Sequence, residues 1–513
     1  MLRKLPIGQQ DFSKIRLDNS VYADKTKIIY NMVTLGDYYF LSRPRRFGKS
    51  LLISTLKNLF EGKKELFKGL LIENDFDWKE VPVVRIDFNG RSFTDKPLTT
   101  TIDKFLDDNA ERYKVQLCEQ GNRDRFFELI KKLHEKTGER VVLLIDEYDK
   151  PIVDLINDIQ KAEENREILR NFYGAVKGCS EMLKFVLITG ISRFSKMSIF
   201  SELNNLADIS MDENFAAICG FTKDDLNNYF SEYKDLVSQK LEISKDELDE
   251  KIRFWYDGYK FDGKTHIYNP FSILNFFRER DFRNYWFESG LPKLLADFII
   301  QNGIDVRELH NVAMSAEELN NFDVKKINLK ALMFQTGYLT IVEKDEYNQY
   351  VLDYPNEEVR SSFVKFLLKN YTDEDSSNKR VAMLRALDRG DIDGFIESVN
   401  ALFASIPYQI IPKENENYFS SLMHVLLKTL GYMVLSELST YKGRADAVIK
   451  TKKFIYIFEY KMAPIVAAEG INQIKTKGYA DEFMSDPRQK IAVSIVIDRE
   501  KRRVSEYLCE NVL

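Results

Sequence analysis

The chain has 513 residues, of which 44% are hydrophobic and 30% are charged, and its formal net charge is −5. A chain of this length exceeds a single hydrophobic core, so roughly two to four domains of an ordinary soluble protein are predicted. The negative net charge excludes a global attraction to nucleic acid, and any such contact must come from local basic patches.

The cysteines and histidines argue against a zinc site, a disulfide framework or histidine-based catalysis. The four cysteines form no C-x-x-C pair, and the four histidines are dispersed along the chain. No apolar run reaches the roughly 18 to 20 residues of a membrane span, and the amino terminus lacks a signal-peptide core. We therefore expect a cytoplasmic protein without a membrane partner.

A helix over residues 27–35 is followed by a predicted strand, loop and helix. Residues 38–42 form an apolar strand pattern, and the loop RPRRFGKS at residues 43–50 leads into the apolar helical pattern of residues 51–60. A helix that opens at Gly-Lys-Ser after a buried strand is the context of a phosphate-binding P-loop. The segment therefore predicts a nucleotide site that uses ATP and Mg²⁺.

In that site, backbone N–H groups would cradle the phosphates, Lys49 would reach the β- and γ-phosphates and Ser50 would ligate Mg²⁺. The residues expected to contact the nucleotide in the loop are Arg45, Arg46, Phe47, Gly48, Lys49 and Ser50. Arg43 stands where the P-loop pattern has glycine. A basic turn that merely ends in Gly-Lys-Ser therefore stays open as an alternative.

A second motif is the continuous apolar run at residues 141–145, which ends in Asp146 and Glu147. Such a run is typical of a central parallel strand, and its end places both acids at the sheet edge where ligands bind. Asp146 would hold Mg²⁺, and Glu147 would orient and deprotonate the attacking water. The alternative is an apolar strand that happens to end in acids.

A strand predicted at residues 83–88 lies between these two motifs in the chain, and the additional-strand class of P-loop ATPases has a strand between them. Helices are predicted at residues 98–119, 125–137 and 152–177. A further buried strand at residues 183–190 is followed by polar groups that could sense the γ-phosphate, with Thr189 or Ser192 as donors and Arg193 as the cation. An Arg193 that only pairs with a surface acid is the alternative.

Several long motifs identify the chain as similar to a known family. These are RPRRFGKSLL, LLIDEYDKPI, ITGISRFSKMSIF, WYDGYKF with YNPFSI, and FQTGYLT with PNEEVR. The combination resembles the bacterial and archaeal AAA-ATPase-like family whose members carry a carboxy-terminal PD-(D/E)XK nuclease domain, from about residue 6 to the end. The resemblance implies that the glycine-poor loop is the family's own form of the motif. It also implies ATPase roles for Lys49, Ser50, Asp146, Glu147 and Arg193.

The middle of the chain predicts helices and then a hairpin. Residues 215–300 are mainly helical by pattern and rich in aromatic residues, which indicates the core of a small helical lid more than a base-stacking surface. Strand patterns at residues 338–342 and 350–354 after a helix are compatible with a winged-helix module, with a plain packing hairpin as the alternative. The polar segment 371–379 is the best linker candidate, and helices are predicted at 380–387 and 392–405.

A second cluster of carboxylates lies near the carboxyl terminus. In the strand predicted at residues 454–461, Glu459 and Lys461 are two residues apart and so share one face. If the strand before it pairs with it as a hairpin, Asp446 approaches the same face. Two carboxylates can bind one or two Mg²⁺ or Mn²⁺ ions, and Lys461 can orient a water or stabilise phosphorane charge. A Glu-x-Lys pair on an exposed strand is the bland alternative.

The order of a helix at 418–430, the Asp446 strand, the Glu-x-Lys strand and a helix at 467–483 resembles the PD-(D/E)XK nuclease core, with residues 490–498 as a closing strand. The resemblance implies a catalytic set of Asp446, Glu459 and Lys461. Gln473 would support this set, and Glu416 would be a helix-borne metal ligand. Ala445 replaces the proline of the nominal motif.

We therefore predict an α/β multidomain protein. Its parts are an AAA-like P-loop domain with a parallel sheet (1–214), a helical lid (215–325), a winged-helix or linker region (326–379) and a restriction-endonuclease-like α/β core (380–513).

The predicted function is ATP hydrolysis coupled to a metal-dependent nuclease acting on nucleic acid, with DNA favoured, in DNA processing or anti-phage defence. A homo-oligomer is compatible with this reading. Three alternatives remain open: a STAND-type signalling ATPase whose nuclease-like domain only binds nucleic acid or a partner, a DNA translocase, and a non-catalytic assembly protein with nucleotide as a structural ligand.

Overall fold

The computed structural model divides the chain into two compact units. One comprises Met1–Trp286 and Asn311–Glu358, and the other comprises Phe287–His310 and Val359–Leu513. The residues that the structure describes are 2–156, 158–192, 203, 205–286, 292–302, 304–309, 311–319, 328–372, 377–406, 418–430, 434–435, 439–440 and 443–512. The four-part division expected from the sequence stays a prediction.

A five-stranded parallel sheet forms the centre of the first unit. Its strands are β1 (Tyr38–Ser42), β2 (Val83–Asp87), β3 (Val141–Asp146), β4 (Leu183–Gly190) and β5 (Ala207–Asp208). The order across the sheet is β2-β3-β4-β1-β5, and every pairing is parallel. The strand inserted between β1 and β3 is therefore β4, whereas β2, which lies between them in the chain, pairs only with β3 at the edge.

Two helices precede this sheet in the chain, and the others follow its first three strands. They are α1 (Phe12–Leu17), α2 (Thr26–Leu35), α3 (Lys49–Phe60), α4 (Leu98–Arg112), α5 (Asn122–Thr137), α6 (Lys150–Val153) and α7 (Ile159–Gly178). Every residue of β3 is buried, which explains its uninterrupted apolar sequence.

Two helix predictions were wrong in detail. The single helix expected over residues 152–177 is divided into α6 and α7, because the Asp158 side chain accepts a hydrogen bond from Lys161 N and caps a new helix. The helix expected to reach residue 119 ends at Arg112, and Lys114 just beyond it has a left-handed φ of 52°.

An aromatic-rich helical region follows the sheet in the same unit. Its helices are α8 (Lys223–Tyr229), α9 (Ser231–Leu241), α10 (Lys245–Tyr256) and α11 (Pro270–Glu279). Phe230, Tyr256, Phe276 and Phe277 form part of one buried cluster. The aromatic residues therefore build a core, as the sequence indicates.

The predicted hairpin is present and carries a third strand. Strands β7 (Thr340–Lys344) and β8 (Tyr350–Asp353) pair antiparallel, and β6 (Val312–Met314) pairs with the other edge of β8. Helices α13 (Ala316–Leu319) and α14 (Leu329–Thr336) lie between β6 and β7 in the chain. A strand as short as β6 gives too few residues for its alternation to be recognised in the sequence.

The second unit contains a mixed five-stranded sheet. The strands of the unit are β9 (Val434–Leu435), β10 (Ser439–Thr440), β11 (Gly443–Arg444), β12 (Ala447–Lys450), β13 (Phe454–Met462), β14 (Gln489–Asp498) and β15 (Arg503–Asn511). The order across the sheet is β15-β14-β13-β12-β9. Within this sheet β13 and β14 pair in parallel, whereas the other neighbours are antiparallel.

The helices of this unit are α12 (Pro292–Gln301), α16 (Ser377–Arg389), α17 (Ile392–Ala404), α18 (Tyr418–Thr429) and α19 (Ala467–Thr476). Helix α15 (Glu357–Thr372) also belongs to it, except for its first two residues, which belong to the first unit.

Three further differences from the sequence expectations concern this unit. The helix expected to reach residue 483 stops at Thr476, and a short 3-10 turn follows at Asp481–Phe483. The polar segment 371–379 is entered by α15 and α16 from its two sides. The edge strand β15 was not predicted.

In the part of the chain described above, no helix is long and apolar enough to cross a membrane.

Candidate functional sites

The P-loop connects β1 to α3 through a turn with two left-handed residues. Arg46 has a φ of 69° and Gly48 a φ of 99°, and Gly48 caps the first turn of α3. Lys49 and Ser50 are therefore the first residues of a helix whose N-terminus carries free N–H groups and the positive end of the helix dipole. This geometry favours a bound phosphate.

Arg43, which replaces the glycine of the P-loop pattern, is a buried anchor. Its guanidinium donates hydrogen bonds to Ser42 O at 2.9 Å and Ser210 O at 2.7 Å and lies 4.2 Å from the ring centre of Phe261. Its side chain is 1% exposed, and its φ is not in the left-handed region. The loop therefore needs no glycine at this position, and the arginine holds it against the chain that follows the sheet.

Lys49 and Glu147 meet at the carboxyl end of the sheet. Lys49 Nζ lies 3.3 Å from Glu147 Oε1 and also donates to the carbonyl oxygens of Arg43 and Pro44 at 3.0 and 3.3 Å. The Lys49 side chain is only 3% exposed. The ammonium thus already sits inside the loop, where it would exchange carbonyl contacts for phosphate oxygens.

Asp146 lies on the strand next but one to β1 and is fully buried. Its Oδ1 accepts a hydrogen bond from Thr189 Oγ1 at 2.7 Å, and no donor in the described part of the chain bonds to Oδ2. Burial, followed by the charge of Glu147, raises the Asp146 pKa, while the nearby hydroxyls of Ser50 and Thr189 oppose this shift. A carboxylate oxygen without a donor, close to a serine hydroxyl, fits a hard cation such as Mg²⁺.

The other loop residues contact the surrounding protein through side chains or main-chain carbonyls. The Arg46 guanidinium lies 3.9 Å from the ring centre of Phe271, and Phe47 is fully buried. Phe47 O and Arg45 O accept hydrogen bonds from Gly220 N and from the indole of Trp286. Any phosphate contact by Phe47 would therefore come from its main chain.

The proposed γ-phosphate sensors have other partners. The Thr189 hydroxyl donates to Asp146, and both the backbone N–H and the hydroxyl of Ser192 donate to Asp149. Because a hydroxyl has one hydrogen, neither side chain is available as a donor to phosphate without a rearrangement. Arg193 lies outside the described residues.

A cavity of about 390 Å³ opens beside the P-loop. Gly48, Lys49, Ser50 and Glu147 line its polar side. Apolar residues that line it include Val21, Tyr22, Ile29, Phe221, Phe271 and Leu274. Its size is within the range of about 300–1,000 Å³ of small-molecule sites. No sequence pattern indicated this wall, because its segments are far apart in the chain and their apolar residues are typical of a core.

The second site is built on the hairpin β12–β13. Ala447 pairs with Phe458, so the same register places Asp446 opposite Glu459, and Asp446 Oδ2 accepts a hydrogen bond from Tyr460 N at 2.9 Å. The predicted hairpin is thus present, and it brings the two acids to the same end of the sheet.

Lys461 joins this site to the following helix. Its ammonium donates to Glu459 Oε1 at 2.8 Å and to Gln473 Oε1 at 2.6 Å. Gln473, on α19, in turn donates to the hydroxyl of Tyr479 at 3.3 Å. The structure therefore brings Glu459, Lys461 and Gln473 into one network, in which Tyr479 is a member that the sequence did not reveal.

The donor set of this site fits a divalent cation. Asp446 and Glu459 supply carboxylate oxygens, which Mg²⁺ and Mn²⁺ prefer. Over the described ranges, no group of three or more His, Cys, Asp and Glu residues converges on one point. Two carboxylates suffice for a Mg²⁺ site in which water and substrate phosphate complete the shell. Glu416, the predicted third ligand, lies outside the described residues.

Comparisons with known proteins match both regions of the chain. A family model described as predicted AAA-ATPase matches residues 6–200, and a model of the PD-(D/E)XK nuclease superfamily matches residues 414–507. The chain belongs to the family of AAA-ATPase-like proteins with a carboxy-terminal PD-(D/E)XK nuclease-superfamily domain, which confirms the resemblance and the fold class.

A full-length relative is the "Uncharacterized protein in vnfD 5'region" of Azotobacter chroococcum mcd 1. It is 38% identical over 523 residues, an alignment that covers 99% of each chain. The similarity therefore extends over the whole arrangement rather than over one domain alone.

Proposed function

We propose that this protein hydrolyses ATP at the P-loop site and uses its carboxy-terminal site to cleave nucleic acid, with DNA as the substrate to test first. The observation that supports the first activity is the contact between Lys49 and Glu147 at a cavity of about 390 Å³, with the buried Asp146 next to Glu147 in the chain. The observation that supports the second is the Glu459–Lys461–Gln473 network next to Asp446.

In the ATPase reaction, the loop amides and Lys49 bind the triphosphate and Glu147 takes the proton of the attacking water. Ser50 and Asp146 would hold Mg²⁺, which neutralises phosphate charge when bound. The Lys49 ammonium leaves the carbonyls of Arg43 and Pro44 as the phosphate enters. Its contact with Glu147 then keeps the base near the γ-phosphate.

In the nuclease reaction, Asp446 and Glu459 would hold Mg²⁺ or Mn²⁺, which lowers the pKa of a bound water and polarises the scissile phosphate. Lys461 orients the water or stabilises the charge that develops on the phosphate. Gln473 and Glu459 fix the position of the Lys461 ammonium through their two hydrogen bonds. A genome-related role, in DNA processing or anti-phage defence, is consistent with this pairing of domains.

Nucleotide binding is tested by isothermal titration of ATP with Mg²⁺. Lys49→Ala should abolish binding, whereas Lys64→Ala, at an exposed lysine beyond α3, should bind as the wild type does. Unchanged affinity of Lys49→Ala would refute the site.

Cleavage is tested with the purified full-length protein, plasmid DNA, linear DNA and RNA, in Mg²⁺ or Mn²⁺, with and without ATP. Lys461→Ala should abolish cleavage, and Lys501→Ala, at an exposed lysine of the same unit, should not. Intact substrate under every condition, or cleavage that survives Lys461→Ala, would refute the nuclease proposal.

A further inference from the structure

Asp149 is a fully buried carboxylate that the proposed reaction does not use. It lies just beyond Glu147, and it accepts hydrogen bonds from the two residues that follow β4. The Ile191 N–H lies 3.1 Å and the Ser192 N–H 2.6 Å from Oδ2, and the Ser192 hydroxyl donates to the same oxygen. Asp149 therefore ties the turn after β3 to the end of β4.

The approach of the two strand ends at this point is close. A side chain at Gly190 would place its Cβ 2.5 Å from the Tyr148 ring and 2.7 Å from Asp149 Oδ1. Tyr148 adds two hydrogen bonds of its own, from its N–H to Thr189 O at 3.0 Å and from its hydroxyl to Ser192 O at 3.1 Å. Glycine at residue 190 thus permits a clamp made by Tyr148 and Asp149.

The clamp holds a strained residue. Glu147 has a φ of 55°, in the left-handed region that a non-glycine residue adopts only at an energetic cost. Such a conformation persists only where the surrounding structure fixes it. Glu147 lies between β3, which precedes it, and Tyr148 and Asp149, which follow it. The contacts of Tyr148 and Asp149 with the end of β4 therefore fix the turn on the C-terminal side of Glu147.

Asp149 itself is in no position to touch substrate. It is 0% exposed, and its oxygens already serve the donors on residues 191 and 192. Burial, followed by the charge of Glu147, raises its pKa to about 6, so the carboxyl is still mainly ionised at neutral pH and can accept these bonds.

We infer that Asp149 is a positioning residue for the ATPase reaction: by anchoring the turn after β3 to the end of β4, it keeps Glu147 in the left-handed conformation that aims its carboxylate at Lys49 and the γ-phosphate. This inference rests on the proposed ATPase activity. A displacement of the base on the order of 1 Å costs about a hundredfold in rate without weakening the binding of the nucleotide.

The test compares Asp149→Asn with the wild type in ATP turnover and in the Kd of Mg²⁺-ATP. The amide has the size of the carboxyl, but it is neutral and one of its two acceptor oxygens is replaced by an NH₂ group, so the hydrogen bonds from residues 191 and 192 are weakened. We expect kcat to fall about 10- to 100-fold while the Kd changes less than about twofold. Asp154→Asn, at the end of α6, should leave both quantities unchanged.

A double-mutant cycle separates positioning from a structural role. Because Asp149 acts through Glu147, adding Asp149→Asn to Glu147→Gln should lower kcat less than about twofold further. Should Asp149→Asn fail to fold, Ser192→Ala removes one donor of the clamp and should lower kcat alone.

Three results would overturn the inference. The first is an unchanged kcat in Asp149→Asn, or in Ser192→Ala if Asp149→Asn does not fold. The second is a loss of ATP affinity that parallels the loss of kcat. The third is an additive loss of kcat in the double mutant. Any of these in a protein whose wild type hydrolyses ATP refutes the role of Asp149 alone. A wild type that has no ATP turnover refutes the proposed ATPase and this inference together.

Discussion

The two candidate sites differ in how the chain assembles them. Lys49 and Glu147 follow two strands, β1 and β3, that are about one hundred residues apart in the chain. They meet because β4 pairs with both strands and so brings their carboxyl ends to the same edge of the sheet. Asp446, Glu459 and Lys461 lie on one hairpin, and Gln473 lies on the helix that follows it. The nuclease-like site therefore needs only local folding, whereas the ATPase site depends on the order of a whole sheet.

The sites also differ in how exposed and how tightly bonded their lysine ammonium groups are. The Lys461 ammonium already rests between Glu459 and Gln473, and its side chain is 20% exposed. The Lys49 ammonium is 3% exposed and bonded to loop carbonyls that a phosphate must displace. We therefore expect substrate entry to rearrange the P-loop site more than the nuclease-like site.

Inactivating each site alone should have the largest effects. Glu147→Gln should lower the kcat of ATP hydrolysis by about 10²–10⁴-fold, because the amide cannot take a proton from water. Glu459→Gln should leave ATP hydrolysis without nucleic acid unchanged and abolish cleavage. Both reactions are measured on the same preparations, by phosphate release and by gel assay. Loss of ATP hydrolysis in Glu459→Gln would contradict two separately assembled sites.

A titration with metal ions in the absence of nucleotide tests the nuclease-like site by itself. Mn²⁺ at about one hundred times its Kd should stabilise the folded second unit by about 2.7 kcal/mol, which raises the unfolding temperature by about 5 °C. Asp446→Asn should remove this shift, since it removes a carboxylate ligand. Asp481→Asn, an exposed acid of the same unit, should retain it. The unfolding temperatures are measured by differential scanning fluorimetry. An equal increase in the unfolding temperature of Asp446→Asn would show that the ion binds elsewhere.

The local parts of both sites were predictable from the sequence. The β1–loop–α3 segment, the acids at the end of β3 and the hairpin that pairs Asp446 with Glu459 follow from runs of apolar residues with polar ends. The structure agrees because each pattern spans a single element or two that are adjacent in the chain.

The long-range parts were not predictable. The carbonyl partner of Arg43 on Ser210 lies 167 residues away, and no pattern near either residue indicates it. The same holds for the apolar wall of the nucleotide cavity. The edge strand β15 was missed because it is mostly exposed and carries charged residues, so its sequence lacks a buried face.

A substitution at Arg43 tests whether the loop depends on the P-loop sequence pattern or on the long-range contacts of the arginine. Arg43→Gly restores the usual P-loop pattern but removes the bonds to Ser42 and Ser210 and the contact with Phe261. We expect ATP affinity to fall about tenfold, since lost charged hydrogen bonds cost roughly 1.5–3 kcal/mol each and only part of this cost reaches the loop. Arg140→Gly, at an exposed loop arginine, serves as the control in titration calorimetry. Equal or tighter binding by Arg43→Gly would refute the anchor.

The smallest predicted effect concerns Glu358, a buried carboxyl behind the P-loop. It accepts hydrogen bonds from Ser272 Oγ at 2.7 Å and from the N–H groups of Tyr285 and Trp286 at 2.5 and 2.8 Å. Burial raises its pKa from 4.5 to about 7, although these bonds and the charge of Arg46 oppose the shift. The folded state then binds more protons than the unfolded state between these two values. Its stability should fall as pH rises through that window, by at most about 3 kcal/mol, and stay level above it.

Glu358→Gln tests the predicted direction of this pH dependence of stability. The amide is neutral at every pH, and it can reproduce the three hydrogen bonds when Ser272 acts as the acceptor. The unfolding temperature of the variant relative to the wild type should increase from pH 5 to pH 8, by a few degrees. Glu343→Gln, at an exposed site on β7, should show no such trend. A relative stability of Glu358→Gln that is constant or decreases with pH would mean that the carboxyl is ionised in the folded protein throughout. The P-loop would then have an anionic carboxylate behind Arg46.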